Sequence, residues 1–308
     1  MSCRRVLIIA DIEGSSGCWD YAASSFLKPA WALACAAMTQ DVQSVVRALL
    51  RAGVEEIIVK DFHRTGYNLL PEQIDRRARV DSGYALGPIP GMGDPGHAEA
   101  VLFLGLHAAS GTDGFLPHTM TSRLAEVCVN DRPLPEVALF ASLLAPYGVR
   151  PVFFSGCPIA CRQAARAVPG ISVWPINKKD GPAGFDRLAW RSELALKAVE
   201  SLSNQATCTL DGKGPFAVKL VFRDGAVAAQ RITRRWRLKR AGDAVRFDVD
   251  DLPALFLMLS RICYLVPALL PLLRIGLPLY NLMGRAGLTW VRHRLKHTPS
   301  SPTGGGLT

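Results

Sequence analysis

Short apolar runs that stop at a titratable residue constrain this chain more than any other feature. Val6-Leu-Ile-Ile-Ala10 stops at Asp11, and Val54 to Lys60 leads into Asp61-Phe-His63. Ala100 to Gly105 leads into Leu106-His107, and Arg150-Pro-Val-Phe-Phe154 ends at Ser155-Gly156. The runs are too short for helices and lack the alternation of half-exposed strands, so they read as parallel strands buried on both faces. Between the first two, Pro29 opens a helical stretch that reaches about Arg51 and closes at Gly53. Cys128-Val129 precedes a loop at Asn130 to Pro133, and the chain from Leu134 reads as a helix. Strands alternating with helices predict an α/β fold, a mostly parallel sheet flanked by helices.

The pattern changes near residue 210. Ser203-Asn-Gln and Asp211 to Pro215 read as a connection, and Phe216 to Phe222 and Val245 to Val249 as strands of another unit. The expected organisation is an α/β domain over 1–210, a smaller C-terminal unit with an apolar, basic helical segment over 211–297, and a disordered Ser/Pro/Gly tail over 298–308. Charge follows the same division. Residues 1–218 carry 21 Lys and Arg against 21 Asp and Glu, whereas residues 219–297 carry 15 against 5. The whole net charge of +10 therefore lies in the C-terminal part, away from the candidate chemistry, which argues against a nucleic-acid partner. The run after Arg4-Arg5 is too short for a signal sequence, and the eight cysteines include no C-x-x-C pair. A cytoplasmic protein with free thiols is the expectation.

Asp11 and Glu13 sit two residues apart at the end of the first run. In extended chain they project to one face, where two desolvated carboxylates repel unless a cation joins them. A lone D-x-E is more often a solvated acidic turn. His63 and His107 stand just beyond the ends of the next runs, where open α/β sheets place ligand sites, and imidazoles beside carboxylates suit zinc. Glu136 begins a helix, where a carboxylate favours the helix dipole without any metal. His118, in Leu116-Pro-His-Thr-Met120, fits a general acid/base, an oxyanion stabiliser or a surface residue. No G-x-S-x-G elbow, G-x-x-x-x-G-K-[ST] loop or H-E-x-x-H helix is present, and Gly14-Ser-Ser-Gly17 follows carboxylates that would repel a phosphate.

Taken together, Asp11-Ile-Glu-Gly-Ser-Ser-Gly17, Asp61-Phe-His63, Phe103-Leu-Gly-Leu-His107, Pro117-His-Thr-Met120 and Val129 to Glu136 resemble the DppA-type D-aminopeptidases, a family of zinc metallopeptidases. The resemblance covers roughly residues 5–200. It implies two Zn2+ ions per chain, with Asp11 bridging and Glu13, His63, His107 and Glu136 as the other ligands, and His118 as a catalytic histidine. It also implies cleavage of short peptides bearing an N-terminal D-amino acid, and a ring-like homo-oligomer. Alternatives from other classes are a catalytically idle metal-binding scaffold tied to membrane or partner proteins, and a hydrolase of another small amide.

Leu252 to Met283 departs from that family. It holds 23 apolar residues in 32, with Arg261 and Arg274 inside and Pro253, Pro267, Pro271 and Pro278 interrupting it. A spanning helix needs about 20 mostly apolar residues, but the arginines and prolines oppose a simple span. With Trp290 and basic residues following, 252–297 fits peripheral association with an anionic membrane, or equally a core helix with an oligomer contact.

Overall fold

The first sheet grows from β1 (Arg5–Ala10), β2 (Glu56–Asp61), β3 (Ala78–Asp81) and β4 (Ala100–Leu106). The chain leaves it through β5 (Leu124–Val129) and β6 (Arg132–Pro133), then returns with β7 (Arg150–Gly156) and β8 (Ser172–Pro175). All pairings are parallel, in the order β3-β2-β1-β4-β7-β8. This computed structural model describes residues 3–207, 210 and 212–297.

Burial explains why the strand runs lack alternation. Leu7 and Ile9 of β1 join the core on one face with Leu139 and Phe140, while Val6, Ile8 and Ala10 join the other with Met38 and Leu194. Side chains point alternately to the two faces, and helices cover both. The first face carries α2 (Glu136–Leu144) and α3 (Pro158–Ala167), and the second carries α1 (Pro29–Arg51) and α4 (Arg187–Glu200). The expected fold class is the one observed, and α1 occupies the stretch the sequence predicted.

A second sheet is antiparallel, built from β9 (Lys213–Phe222), β10 (Lys239–Ala241) and β11 (Ala244–Asp251), in the order β10-β11-β9-β5-β6. It joins residues 124–133 to residues 213–251, so hydrogen bonding crosses the connection expected near residue 210. Phe216, Val218, Leu220 and Phe222 face inward, and α5 (Gly225–Trp236) packs on that side through Ala229 and Ile232.

The C-terminal segment forms α6 (Leu252–Tyr264), a 3-10 stretch at Pro267–Leu272, and α7 (Leu273–His297), with Pro278 inside the last helix. Among the described residues no helix is long and apolar enough to cross a membrane. The C-terminal half of α7 packs against α1, where Trp290 stacks on Trp31 at 6.0 Å and Leu288 and Val291 are buried, and Arg292 pairs with Glu72 of the 3-10 turn at Pro71–Gln73 at 2.8 Å. Its N-terminal half turns Ile275, Leu279 and Leu282 outward, each 59 to 64% exposed. Residues 298–308, expected to be a disordered tail, lie outside the described residues. The seven described cysteines are free thiols.

Candidate metal centre

The order β2-β1-β4 sets the C-terminal ends of three neighbouring strands side by side, with Ala10 in register with Asp61 and with Leu104. Asp11 and Glu13 follow β1, His63 follows β2 and His107 follows β4, so strand pairing alone brings four distant residues to one place. Two glycines allow the final approach. A Cβ on Gly105, whose φ is +75°, would stand 2.3 Å from the Asp11 carbonyl oxygen, and one on Gly14 would stand 2.5 Å from that of Leu106. Only glycine permits this contact, and the Gly14 amide donates to the Gly105 carbonyl at 2.6 Å.

All six residues singled out in the sequence converge. His63 Nδ1 lies 3.1 Å from Asp11 Oδ1 and 2.9 Å from Glu13 Oε2. His107 Nε2 lies 3.6 Å from the other Asp11 oxygen, Oδ2, and 3.6 Å from Glu136 Oε2. Asp11 thus turns one oxygen to each of two groups: Asp11, Glu13 and His63 on one side, His107, His118 and Glu136 on the other. Glu136 opens α2, but it is buried and its Oε1 accepts the Met120 amide at 2.6 Å. The His118 ring stacks on His107 at 3.6 Å, with planes 12° from parallel. Its Nδ1 donates to the Leu116 carbonyl at 2.9 Å, leaving Nε2 as an acceptor.

Charge in this cluster is strongly perturbed. Burial, then the neighbouring Glu13 charge, raises Asp11, whereas the adjacent His63 outweighs burial and brings Glu13 down to about 2. Burial opposes charge on both ligand-side imidazoles. Glu13 nevertheless lifts His63 well above its ordinary range, and Glu136 lifts His107 to about 10. Burial and the His107 charge together push His118 down to about 4. The cluster therefore demands positive charge. Glu13 Oε2 is buried with no hydrogen-bond partner despite its closeness to His63, which leaves it free to bind a cation. Imidazole nitrogens and carboxylate oxygens gathered in two groups that share one carboxylate are a donor set suited to zinc.

Two residues that shape the site, Asp41 and Lys178, gave no signal in the sequence, and a third, Asp61, stood there only as the start of the Asp61-Phe-His63 segment. Asp41 on α1 accepts from the Ser16 amide and hydroxyl, both at 2.7 Å, and pairs with Arg191 on α4 at 2.6 Å. Lys178 is buried, and its ammonium donates to the carbonyls of Ser15 and Cys18. Both clamp the loop that begins at Asp11. Asp61, fully buried, accepts the Asn68 and Leu69 amides and so closes the loop that carries His63. The partners of Asp41 and Lys178 lie 25 to 163 residues away, so no local spacing marks them, whereas Asp61 closes over only seven and eight residues.

Comparison with known proteins bears on the whole arrangement. The family model described as D-aminopeptidase matches residues 4–260. A D-aminopeptidase of Bacillus subtilis (strain 168) is 26% identical over 211 residues, covering 68% of this chain and 74% of that protein. The structure of the "Zn-dependent D-aminopeptidase DppA from Bacillus subtilis, a self-compartmentalizing protease" superposes with a TM-score of 0.74. It is 20% identical and is matched over 84% of this chain and 97% of that one. At that identity the superposition speaks for the fold, while the family match spans most of the chain, including every residue of the cluster. The chain belongs to the D-aminopeptidase family.

Proposed function

We propose that the protein is a two-zinc aminopeptidase that removes the N-terminal residue from short peptides, with preference for an N-terminal D-amino acid. The observation that carries this reading is Asp11, whose two oxygens face two separate donor groups. Glu13 and His63 would hold one zinc with Asp11, and His107 and Glu136 the other. Bound zinc supplies Lewis acidity and lowers the pKa of bound water to about 7. Neutral His118, with Nδ1–H held by the Leu116 carbonyl, offers Nε2 as the base that takes a proton from the attacking water and returns it to the leaving amine. Lys178 and Asp41 hold the Asp11 loop still, and Asp61 does the same for the His63 loop.

His118 also admits a second role, because its ring nitrogen lies in one cluster with His107 and Glu136 and could complete the zinc ligands there. The relative described as self-compartmentalizing supports assembly of this chain into a ring-like homo-oligomer, and the free thiols suit a cytoplasmic location. The reading is tested by turnover of matched D- and L-aminoacyl dipeptides by zinc-loaded protein. Release of the N-terminal residue, faster for the D series, is expected. Cleavage of neither series, with zinc bound, would return the protein to an idle metal-binding scaffold or a hydrolase of another amide.

A further inference from the structure

The family match ends at residue 260, yet the chain beyond it returns to the metal centre. Three tyrosines make the connection. Tyr264 donates its hydroxyl to the carbonyl of Met120, the residue whose amide is held by Glu136. Tyr280 donates to the carbonyl of Arg64, next to His63, at 3.2 Å. Asn281 closes a reciprocal pair with the backbone of Tyr84, accepting its amide at 2.9 Å and donating to its carbonyl at 3.0 Å. Tyr84 donates to the Phe62 carbonyl at 3.1 Å, and its ring stacks on Tyr280 at 6.2 Å. Residues 264–281 therefore bridge from the loop that bears His118 to the loop that bears His63.

What this bridge offers a ligand follows from where its donors go. All three phenol protons are taken up by backbone carbonyls, so none is left to donate to a ligand. Two of the rings remain available, Tyr264 at 60% exposed and Tyr280 at 39%, while the Tyr84 ring is packed between Tyr280 and Phe62. An aromatic surface with its hydroxyls already bonded binds apolar matter through its faces and edges.

We infer that Tyr264 and Tyr280, contributed by the segment after residue 260 and backed by Tyr84, form an aromatic wall at the mouth of the metal centre that selects peptides with a bulky apolar side chain. This rests on the peptidase reading for the identity of the ligand as a peptide. The wall acts on binding, so it is a specificity determinant with no part in proton transfer.

The test uses the full-length chain and three dipeptides: D-alanyl-glycine, D-phenylalanyl-glycine and D-alanyl-D-phenylalanine. Calorimetry on zinc-stripped protein measures binding without cleavage, and KM on zinc-loaded protein is read in parallel. Wild type is expected to bind at least one phenylalanine-bearing peptide about tenfold more tightly than D-alanyl-glycine. Tyr264→Ala and Tyr280→Ala should abolish that preference, and Tyr264→Phe and Tyr280→Phe, which keep the ring, should retain it. Equal binding of all three peptides by wild type overturns the wall. So does a preference unchanged in the folded alanine variants or, should those fail to fold, lost in the phenylalanine variants. Preferential binding without cleavage by the zinc-loaded protein would defeat the peptidase reading and leave the wall standing.

Discussion

His107 and His118 stack face to face at 3.6 Å, and only one of them faces the carboxylates closely enough to hold a positive charge. Glu136 lifts His107 to about 10, and burial together with the His107 charge leaves His118 near 4. Of two like rings, one therefore sits among carboxylates that attract positive charge, and the other stays neutral with its Nε2 lone pair free. His118→Ala is expected to keep its zinc while kcat falls by about 10²–10⁴-fold, as for a lost acid/base group. Metal analysis beside steady-state kinetics checks this. Lost zinc would instead place His118 among the ligands.

Lys178 gives the account a dependence on pH. Burial, as the largest effect, lowers its ammonium from 10.5 to about 8. Below pH 8 the amine is charged in both the folded and unfolded chain, and folding bears the full desolvation cost. From pH 8 to 10.5 the folded chain gives up the proton while the unfolded chain keeps it, so this group's contribution to stability rises with pH. Denaturant titrations at pH 7 through 10.5 should show that rise in wild type, and Lys178→Met should lack it. Identical pH dependence in the two proteins would remove Lys178 from the account.

The strand ends could be read from the sequence because parallel strands buried on both faces leave uninterrupted apolar runs, and their next residues must lie at the sheet's edge. Asp11, Glu13, His63 and His107 were visible for that reason. Glu136 and His118 needed the ordered motifs around them, since a carboxylate at a helix start and a histidine in a loop each have an ordinary explanation. Lys178, Asp41 and the three tyrosines act across 25 to 216 residues of chain, where neither period nor spacing announces them. Strands at 216–222 and 245–249 were legible, but their union with β5 was hidden likewise, because β5 finds its partner β9 about ninety residues later. The C-terminal segment read as an apolar run interrupted by arginines and prolines, which did not reveal that half of α7 packs on α1 while the other half turns leucines and an isoleucine outward.

That outward half holds Ile275, Leu279 and Leu282 at four- and three-residue spacing, which forms one stripe on a helix. Such an exposed stripe is expected to meet another copy of the chain, in line with the proposed homo-oligomer. Sedimentation velocity should find assembled wild type and smaller species for Leu279→Asp. An unassembled wild type that floats with anionic vesicles, and is released as salt screens the basic residues around the stripe, would assign the stripe to a membrane surface.

The central claim is that Asp11 joins two metals, and zinc content tests it most directly. Purified wild type should carry about two zinc ions per chain, as a carboxylate shared between two metals requires. Asp11→Ala should lose more zinc than Glu13→Ala, His63→Ala, His107→Ala or Glu136→Ala, because it alone removes a ligand from both sides. Wild type with a single zinc, or Asp11→Ala with its zinc unchanged in a folded protein, would contradict the account.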